Sequence, residues 1–207
     1  MRKLAIIGAS YLQLPLVQRA KEMGLYTICF AWAEGAVCKD IADKFYPISI
    51  VEKEQILEMC KKEHIDAICT VASDTAAPTV AYVAEQMGLV GNSYEVSLTA
   101  NNKILMRQAF SKAGVLCPQY WYVNKDDFKC QTLDITHLTF PLIVKPSDRS
   151  GSLGVVKVEG EEDLAPAIKA AQNYSFKHEA IVEEYIEGRE ISVEFISYQG
   201  KHYPLQI

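Results

Sequence analysis

Apolar positions fall into short blocks along this chain, and the period of the blocks switches in a regular order. Leu4–Ile7 is an unbroken apolar run ending at Gly8, which predicts a strand buried on both faces. Leu12, Leu16, Val17, Ala20 and Met23 then recur at helical spacing, and Gly24 supplies the stop. Tyr26–Ala31 predicts a second strand and Phe45–Ile48 a weaker third. Ile56, Leu57 and Cys60 mark a helix before His64, Ala67–Val71 a fourth strand, and Ala76–Met87 a helix closed by Gly88. Strands alternating with helices imply a parallel sheet with crossover connections.

The pattern changes after residue 100. Asn101–Gly114 predicts a helix, with Leu105, Ala109 and Phe110 facing inward and Gly114 ending it. Lys103 and Arg107 are four apart and share a face, which by itself describes a solvated basic stripe. Val115–Pro118 leads into a strand, Gln119–Val123. Asn124–Thr139 is polar and irregular and reads as a connection holding one short helix. Leu142–Val144 and Val155–Val158 are β-branched runs, with a helix after them marked by Leu164, Ile168 and Ala171. Ala180–Ile186 predicts a strand. Arg189–Ile196 alternates as a half-buried strand, and a turn at Tyr198–Gly200 leads to a final run, His202–Ile207.

Composition bounds the class. Over 207 residues, 49% apolar and 23% charged are ordinary values for a folded chain with a sizeable core. A net charge of −5 argues against a non-specific nucleic-acid surface, and no apolar run reaches the length of a membrane span. The six cysteines, at 29, 38, 60, 69, 117 and 130, form no Cys-x-x-Cys pair. They fit buried thiols in a reducing, cytoplasmic setting.

Two stretches carry candidate chemistry. Gly8-Ala-Ser10 opens a helix after a strand, but it has one glycine where a dinucleotide fingerprint needs three, so a scaffold without nicotinamide is expected. Ser73 and Asp74 lie on the same carboxyl-terminal sheet edge, where such sheets bind ligands. Asp74 either faces a ligand or caps the next helix, the commoner role for Asp. The second stretch is Phe140–Lys157, which reads strand, Lys145, Ser/Gly loop from Ser147 to Gly154, strand. Small residues let backbone N–H groups approach an anion, and a lysine beside them adds fixed positive charge. An ordinary hairpin with a solvated lysine is the alternative.

The ordered set from residue 102 to 190 resembles the ATP-grasp superfamily. It comprises Asn102-Lys103 with Met106-Arg107, Ala113-Gly114-Val115 and Pro118. It continues through Phe140–Pro146, Gly151–Val155 and Val182–Glu190. Within it the chain looks most like the carbamoyl-phosphate synthase large chain, its purine-pathway relatives and the carboxylate–amine ligases. The resemblance implies an α/β fold: a Rossmann-like parallel-sheet domain over 1–98, a linking helix over 99–118, an ATP-grasp small (lid) subdomain over 119–186, and the start of the large subdomain over 187–207. It implies ATP and Mg²⁺ as cofactors and a small carboxylate or bicarbonate as substrate, activated as an acyl phosphate for an amine or other nucleophile.

Residue by residue, the resemblance assigns Lys103 and Lys145 to the ATP phosphates. Ser150, Gly151, Ser152 and Gly154 match the loop that closes over them. Glu183 matches the acid near the adenine amino group, Glu184 and Ile186 the hinge whose backbone binds the ring, and Glu190 the acid on the ribose. Arg107 is left to pair with a neighbouring acid, Arg149 has no role, and Glu183 and Glu184 otherwise read as exposed strand residues. Family members hold Mg²⁺ through acidic and asparagine side chains further along, and no matching set occurs before Ile207. The chain is therefore expected to be a truncated member or a remnant that does not turn over ATP alone, with metal ligands beyond Ile207. Its last strand would leave an edge open to self-association. A non-catalytic nucleotide-binding module and an NAD-dependent oxidoreductase are the competing classes.

Overall fold

The computed structural model describes residues 1–126 and 138–207. A first sheet is wholly parallel, with strand order β3-β2-β1-β4. Its strands are β1 (Lys3–Ile7), β2 (Tyr26–Phe30), β3 (Lys44–Tyr46) and β4 (Ala67–Cys69). The helices α1 (Leu14–Glu22), α2 (Lys53–Glu63) and α3 (Ala77–Met87) alternate with them. The strands read as unbroken apolar runs because both faces are covered. Ala5, Ile7, Ile28 and Phe30 join Ile56, Cys60 and Val83 in one cluster, while Ile6 and Cys29 join Val17 and Cys38 in another.

At the amino-terminal edge of this sheet, Glu63 closes α2 and ties three elements together. Its carboxylate accepts from Lys44 Nζ and Tyr46 Oη, each at 2.5 Å, and lies 3.6 Å from Lys3 Nζ. These partners hold the carboxyl well below the usual range, at about 2, the Lys44 hydrogen bond first and that of Tyr46 next.

A helix absent from the sequence reading, α4 (Tyr94–Asn101), precedes α5 (Lys103–Lys112). Its apolar periodicity is too weak to announce it: Val96 and Leu98 are exposed and only Ser97 is buried. What defines it locally is the Ser93 cap, whose side chain accepts from Val96 N. Tyr94 then stacks edge-on to Tyr82, with Lys53 Nζ about equally close to both rings, at 4.5 and 4.6 Å. In α5 the expected inward face is corrected. Leu105 and Ala109 are exposed and Phe110 is half-buried, whereas Asn102 and Ile104 are buried. The helix turns Lys103 and Arg107 toward protein instead of solvent because both find polar partners across a cleft.

A second sheet is antiparallel, in the order β5-β8-β6-β7. Its strands are β5 (Tyr120–Val123), β6 (Leu142–Pro146), β7 (Val156–Val158) and β8 (Ala180–Glu184). One face packs on α6 (Glu161–Tyr174): Leu142, Val144, Val158 and Val182 cluster with Leu164, Ile168 and Ala171. The strand period of two then sends Ile143, Lys145 and Glu183 to the other face. The expected strand over 189–196 is corrected too. A hairpin begins only at β9 (Glu194–Tyr198), pairs with β10 (Lys201–Gln206), and is exposed on both faces. The short helix expected within 124–139, and Cys130, lie outside the described residues, apart from the turn at 125–126. The other five cysteines are free. Among the described residues, no helix is long and apolar enough to cross a membrane.

Candidate functional site

The start of α5 is pinned to the glycine loop. Asn102 caps the helix, its side chain accepting from Ile104 N at 3.0 Å and Leu105 N at 3.1 Å. Lys103 N donates to Ser147 O at 2.8 Å. This contact, 44 residues apart in sequence, brings the Lys103 ammonium beside β6. Lys103 Nζ donates to the Arg149 carbonyl. Burial lowers its pKa, and the nearby Lys145 charge lowers it further.

Lys145 and Glu183 meet because β6 and β8 are paired antiparallel with Ile143 opposite Glu183. Lys145 Nζ donates to Glu183 Oε2 at 2.5 Å. Arg107 approaches the same carboxylate as a fork, with Nε 2.9 Å from Oε1 and NH2 3.3 Å from Oε2. The Glu183 side chain is only 4% exposed. The sequence reading gave it an open acceptor near an adenine amino group. In the structure both of its oxygens hold cations.

The loop after β6 is tied down over its first three residues. Ser147 is buried and its hydroxyl donates to Glu179. The Asp148 carboxylate accepts from Phe176 N and Lys177 N, both at 3.1 Å. The Arg149 guanidinium lies over the Phe176 ring, 4.3 Å from its centre. Arg149, unassigned from sequence, thus anchors the loop with its side chain and meets Lys103 with its carbonyl. Gly154 ends the loop at φ +74°, where a Cβ would come within 2.8 Å of the Tyr174 ring and 2.9 Å of Pro146 Cγ. Only glycine fits that turn without displacing a neighbour.

A cleft of about 760 Å³ runs between α5, the second sheet, the loop and the start of α3. Of the residues singled out from sequence, Lys103, Lys145, Ser150, Gly151, Ser152, Glu183, Glu184, Ile186 and Glu190 all line it. Gly154 does not: it shapes the loop from beneath. The two adjacent acids part company, Glu183 facing the cleft and Glu184 lying on the opposite face with its carboxylate near Gln119 N. Among the described residues the Ile186 backbone N–H has no internal partner, and Ile186 is 59% exposed.

Asp74 also lines the cleft. The favoured cap reading for it is corrected: Ser73 takes the extended cap geometry and its side chain accepts from Ala76 N, leaving Asp74 as the first residue inside the turn. At the other candidate stretch, Gln13 folds over Gly8 and accepts from both Ser10 N and Ser10 Oγ. Its amide donates to Val71 O at 2.7 Å, and a Cβ on Gly8 would meet it at 2.9 Å. The groups that would greet a dinucleotide there are spent internally, so the nicotinamide reading finds no support. A buried Gln in an otherwise apolar helix stripe was the available signal, and the sequence reading passed over it in favour of Leu12, which is exposed.

The family model described as D-ala D-ala ligase C-terminus matches residues 109–203. A carbamoyl-phosphate synthase from Methanobrevibacter smithii is 27% identical over 195 residues, covering 89% of this chain and 49% of the relative. Phosphoribosylglycinamide synthetase from Anaerococcus prevotii superposes with a TM-score of 0.71 and 27% identity, over 97% of this chain and 50% of that one. The biotin carboxylase domain of 2-oxoglutarate carboxylase from Hydrogenobacter thermophilus, solved with MgADP, ADP and bicarbonate, shares the fold at a TM-score of 0.70 and 19% identity. It covers 90% of this chain and 44% of that one. These similarities support an ATP-grasp superfamily member. The chain spans about half the length of these relatives.

Proposed function

We propose that this chain is the ATP-binding portion of an ATP-grasp ligase, one that activates a carboxylate or bicarbonate as an acyl phosphate for capture by an amine or other nucleophile. The observation that carries the reading is convergence. Two lysines, a Ser/Gly loop, a hinge with a free backbone N–H and an acid at its end all line one cleft. In this reading Lys103 and Lys145 take the phosphates with the loop's N–H groups. Each ammonium has three N–H bonds, so those used by Arg149 O and Glu183 leave donors for a phosphate. Ile186 N–H and the Glu184 carbonyl meet the adenine edge, and Glu190 accepts from the ribose hydroxyls.

The γ-phosphoryl group would pass to a carboxylate oxygen, with ADP leaving. An amine would then attack the acyl carbon, losing a proton as phosphate departs. Catalysis is mostly positioning and charge stabilisation in such a transfer. Asp74, also on the cleft wall, is left in this reading to these two substrates. Magnesium belongs to this chemistry and would neutralise phosphate charge. Among the described residues no three His, Cys, Asp or Glu side chains group as a metal site, and the reading assigns the metal to none of them. With Ile186 and Glu190 exposed, nucleotide is contacted from few sides. The 207-residue chain is expected to bind ATP weakly and not to turn it over. The proposed division is a first domain over 1–98, a linking helix, a lid subdomain over 119–186 and the start of a further subdomain, in a reducing cytoplasmic setting that the free thiols fit.

The test is chemical-shift perturbation by ADP with magnesium. Shifts should concentrate at 150–154 and 183–190. A response centred on Gly8 and Ser10 would overturn the proposal in favour of a dinucleotide site.

A further inference from the structure

Arg107 pairs with Glu183, which lines the cleft together with its other partner, Lys145. Its side chain is 14% exposed and its guanidinium is used as a two-pronged clamp on one carboxylate. We propose that Arg107 is a positioning residue for the phosphate-binding lysine. By neutralising Glu183, it leaves Lys145 with charge and donors to spare for a nucleotide's phosphates. The inference rests on the nucleotide reading above.

Glu183 alone with Lys145 would be a buried, closed ion pair of zero net charge, with the ammonium drawn onto the carboxylate. With Arg107 added, the three groups carry one net positive charge. The guanidinium fork occupies both carboxylate oxygens, in the geometry that Arg supplies and Lys does not. Lys145 then needs only one of its three N–H bonds for Glu183. Helical spacing makes the device compact: Arg107 lies one turn after Lys103. The Asn102 cap and the Lys103 N to Ser147 O bond, which set the helix against the loop, therefore set both cations at once.

The experiment measures binding of ADP, adenosine and inorganic tripolyphosphate, with magnesium, by calorimetry. The proteins are wild type, Arg107→Met, Arg107→Lys and the double variant Arg107→Met with Glu183→Gln. Thermal unfolding and circular dichroism accompany each. Arg107→Met should weaken ADP and tripolyphosphate by at least about tenfold, the low end for a charged hydrogen bond, and adenosine far less. Removing the Glu183 charge in the double variant should recover most of the loss, because Lys145 is no longer captured. Arg107→Lys, which keeps the charge and one prong, should fall between wild type and Arg107→Met. Unchanged ADP affinity in Arg107→Met overturns the inference. So does equal weakening of ADP and adenosine, which would mean a merely structural role. A phosphate-selective loss that the double variant does not recover also overturns it, since Arg107 would then touch phosphate directly. If wild type binds tripolyphosphate but not ADP, the adenosine reading fails while the lysine arrangement stands. If it binds neither, both fall.

Discussion

Two buried glutamates in this chain are each held by two cations, and they do different things. Glu63 binds Lys44 and Lys3 at the edge of the first sheet where its strands begin. Glu183 binds Lys145 and Arg107 in the middle of the second sheet, on the face turned to the cleft. In the first case the tyrosine hydroxyl of Tyr46 completes the carboxylate's partners, and the cluster locks β1, β3 and α2 together. In the second, a cation that the carboxylate holds is also on a cavity wall, so its charge is available to a ligand. The same local electrostatics ties elements together at one place and, in the function proposed above, serves binding at the other. What separates them is place: Glu63 ends a helix at a sheet edge, whereas Glu183 lies on a sheet face that lines the cleft.

The comparison breaks if the lysines prove interchangeable in effect. Lys145→Ala should weaken ADP binding by about 1.5–3 kcal/mol, the scale of a hydrogen bond to a charged group. Lys44→Ala should leave ADP affinity where it was. Calorimetry on both variants reads the contrast, and equal ADP affinity in wild type and Lys145→Ala would remove the phosphate assignment.

A somewhat smaller effect should appear in stability. The Glu63 carboxyl is held at about 2 by Lys44 and then Tyr46, below its ordinary 4.5. A depressed carboxyl contributes stability that is fully present above its unfolded pKa and is lost as pH falls through the folded one. Glu63→Gln should therefore lower stability at neutral pH, with the gap to wild type closing between pH 4.5 and 2. Urea titrations across that range measure it, and a pH-independent difference would show that the charge is not the cause.

Gly154→Ala tests the loop from beneath. A non-glycine residue at positive φ costs about 1–2 kcal/mol before the contact with Tyr174 and Pro146 is counted. The expected result is lower stability together with weaker nucleotide binding, seen by thermal unfolding and calorimetry. A neutral outcome would mean that the loop's path does not depend on this turn. The smallest effect should come from Asp74→Asn. Asp74 makes no side-chain hydrogen bond among the described residues and acts on Lys103 only through its charge, so stability should stay within about 0.5 kcal/mol of wild type. ADP affinity should be nearly unchanged as well. A large loss of stability on denaturant titration would restore the capping role that Ser73 now holds.

Much of the site was legible in the chain because it is local. Strand, Lys145, small residues and strand follow one another, and so do Glu183, Glu184, Ile186 and Glu190. The first run needs only the period of a strand and the turn chemistry of glycine to be read; the roles of the second come from the superfamily resemblance, since Glu183 and Glu184 by themselves read as exposed strand residues. The parallel first sheet was legible for the same reason, since a strand buried on both faces leaves an unbroken apolar run such as Ala5–Ile7. Helix α4 was not, because its order comes from a serine cap and from Tyr94 packing on Tyr82, and little of it from an apolar stripe.

The linear chain thus carries most of the order of elements, the superfamily motifs and the residue types suited to a nucleotide. Which groups pair is settled by the fold. Arg107 and Glu183 are 76 residues apart, and Gln13 reaches a carbonyl 58 residues away. Nothing in residue spacing could pair them, because the pairing depends on strand register and on how α5 is docked against the loop. The physical reason is that a buried charge or amide must find a partner wherever the fold offers one, and that choice is made in three dimensions.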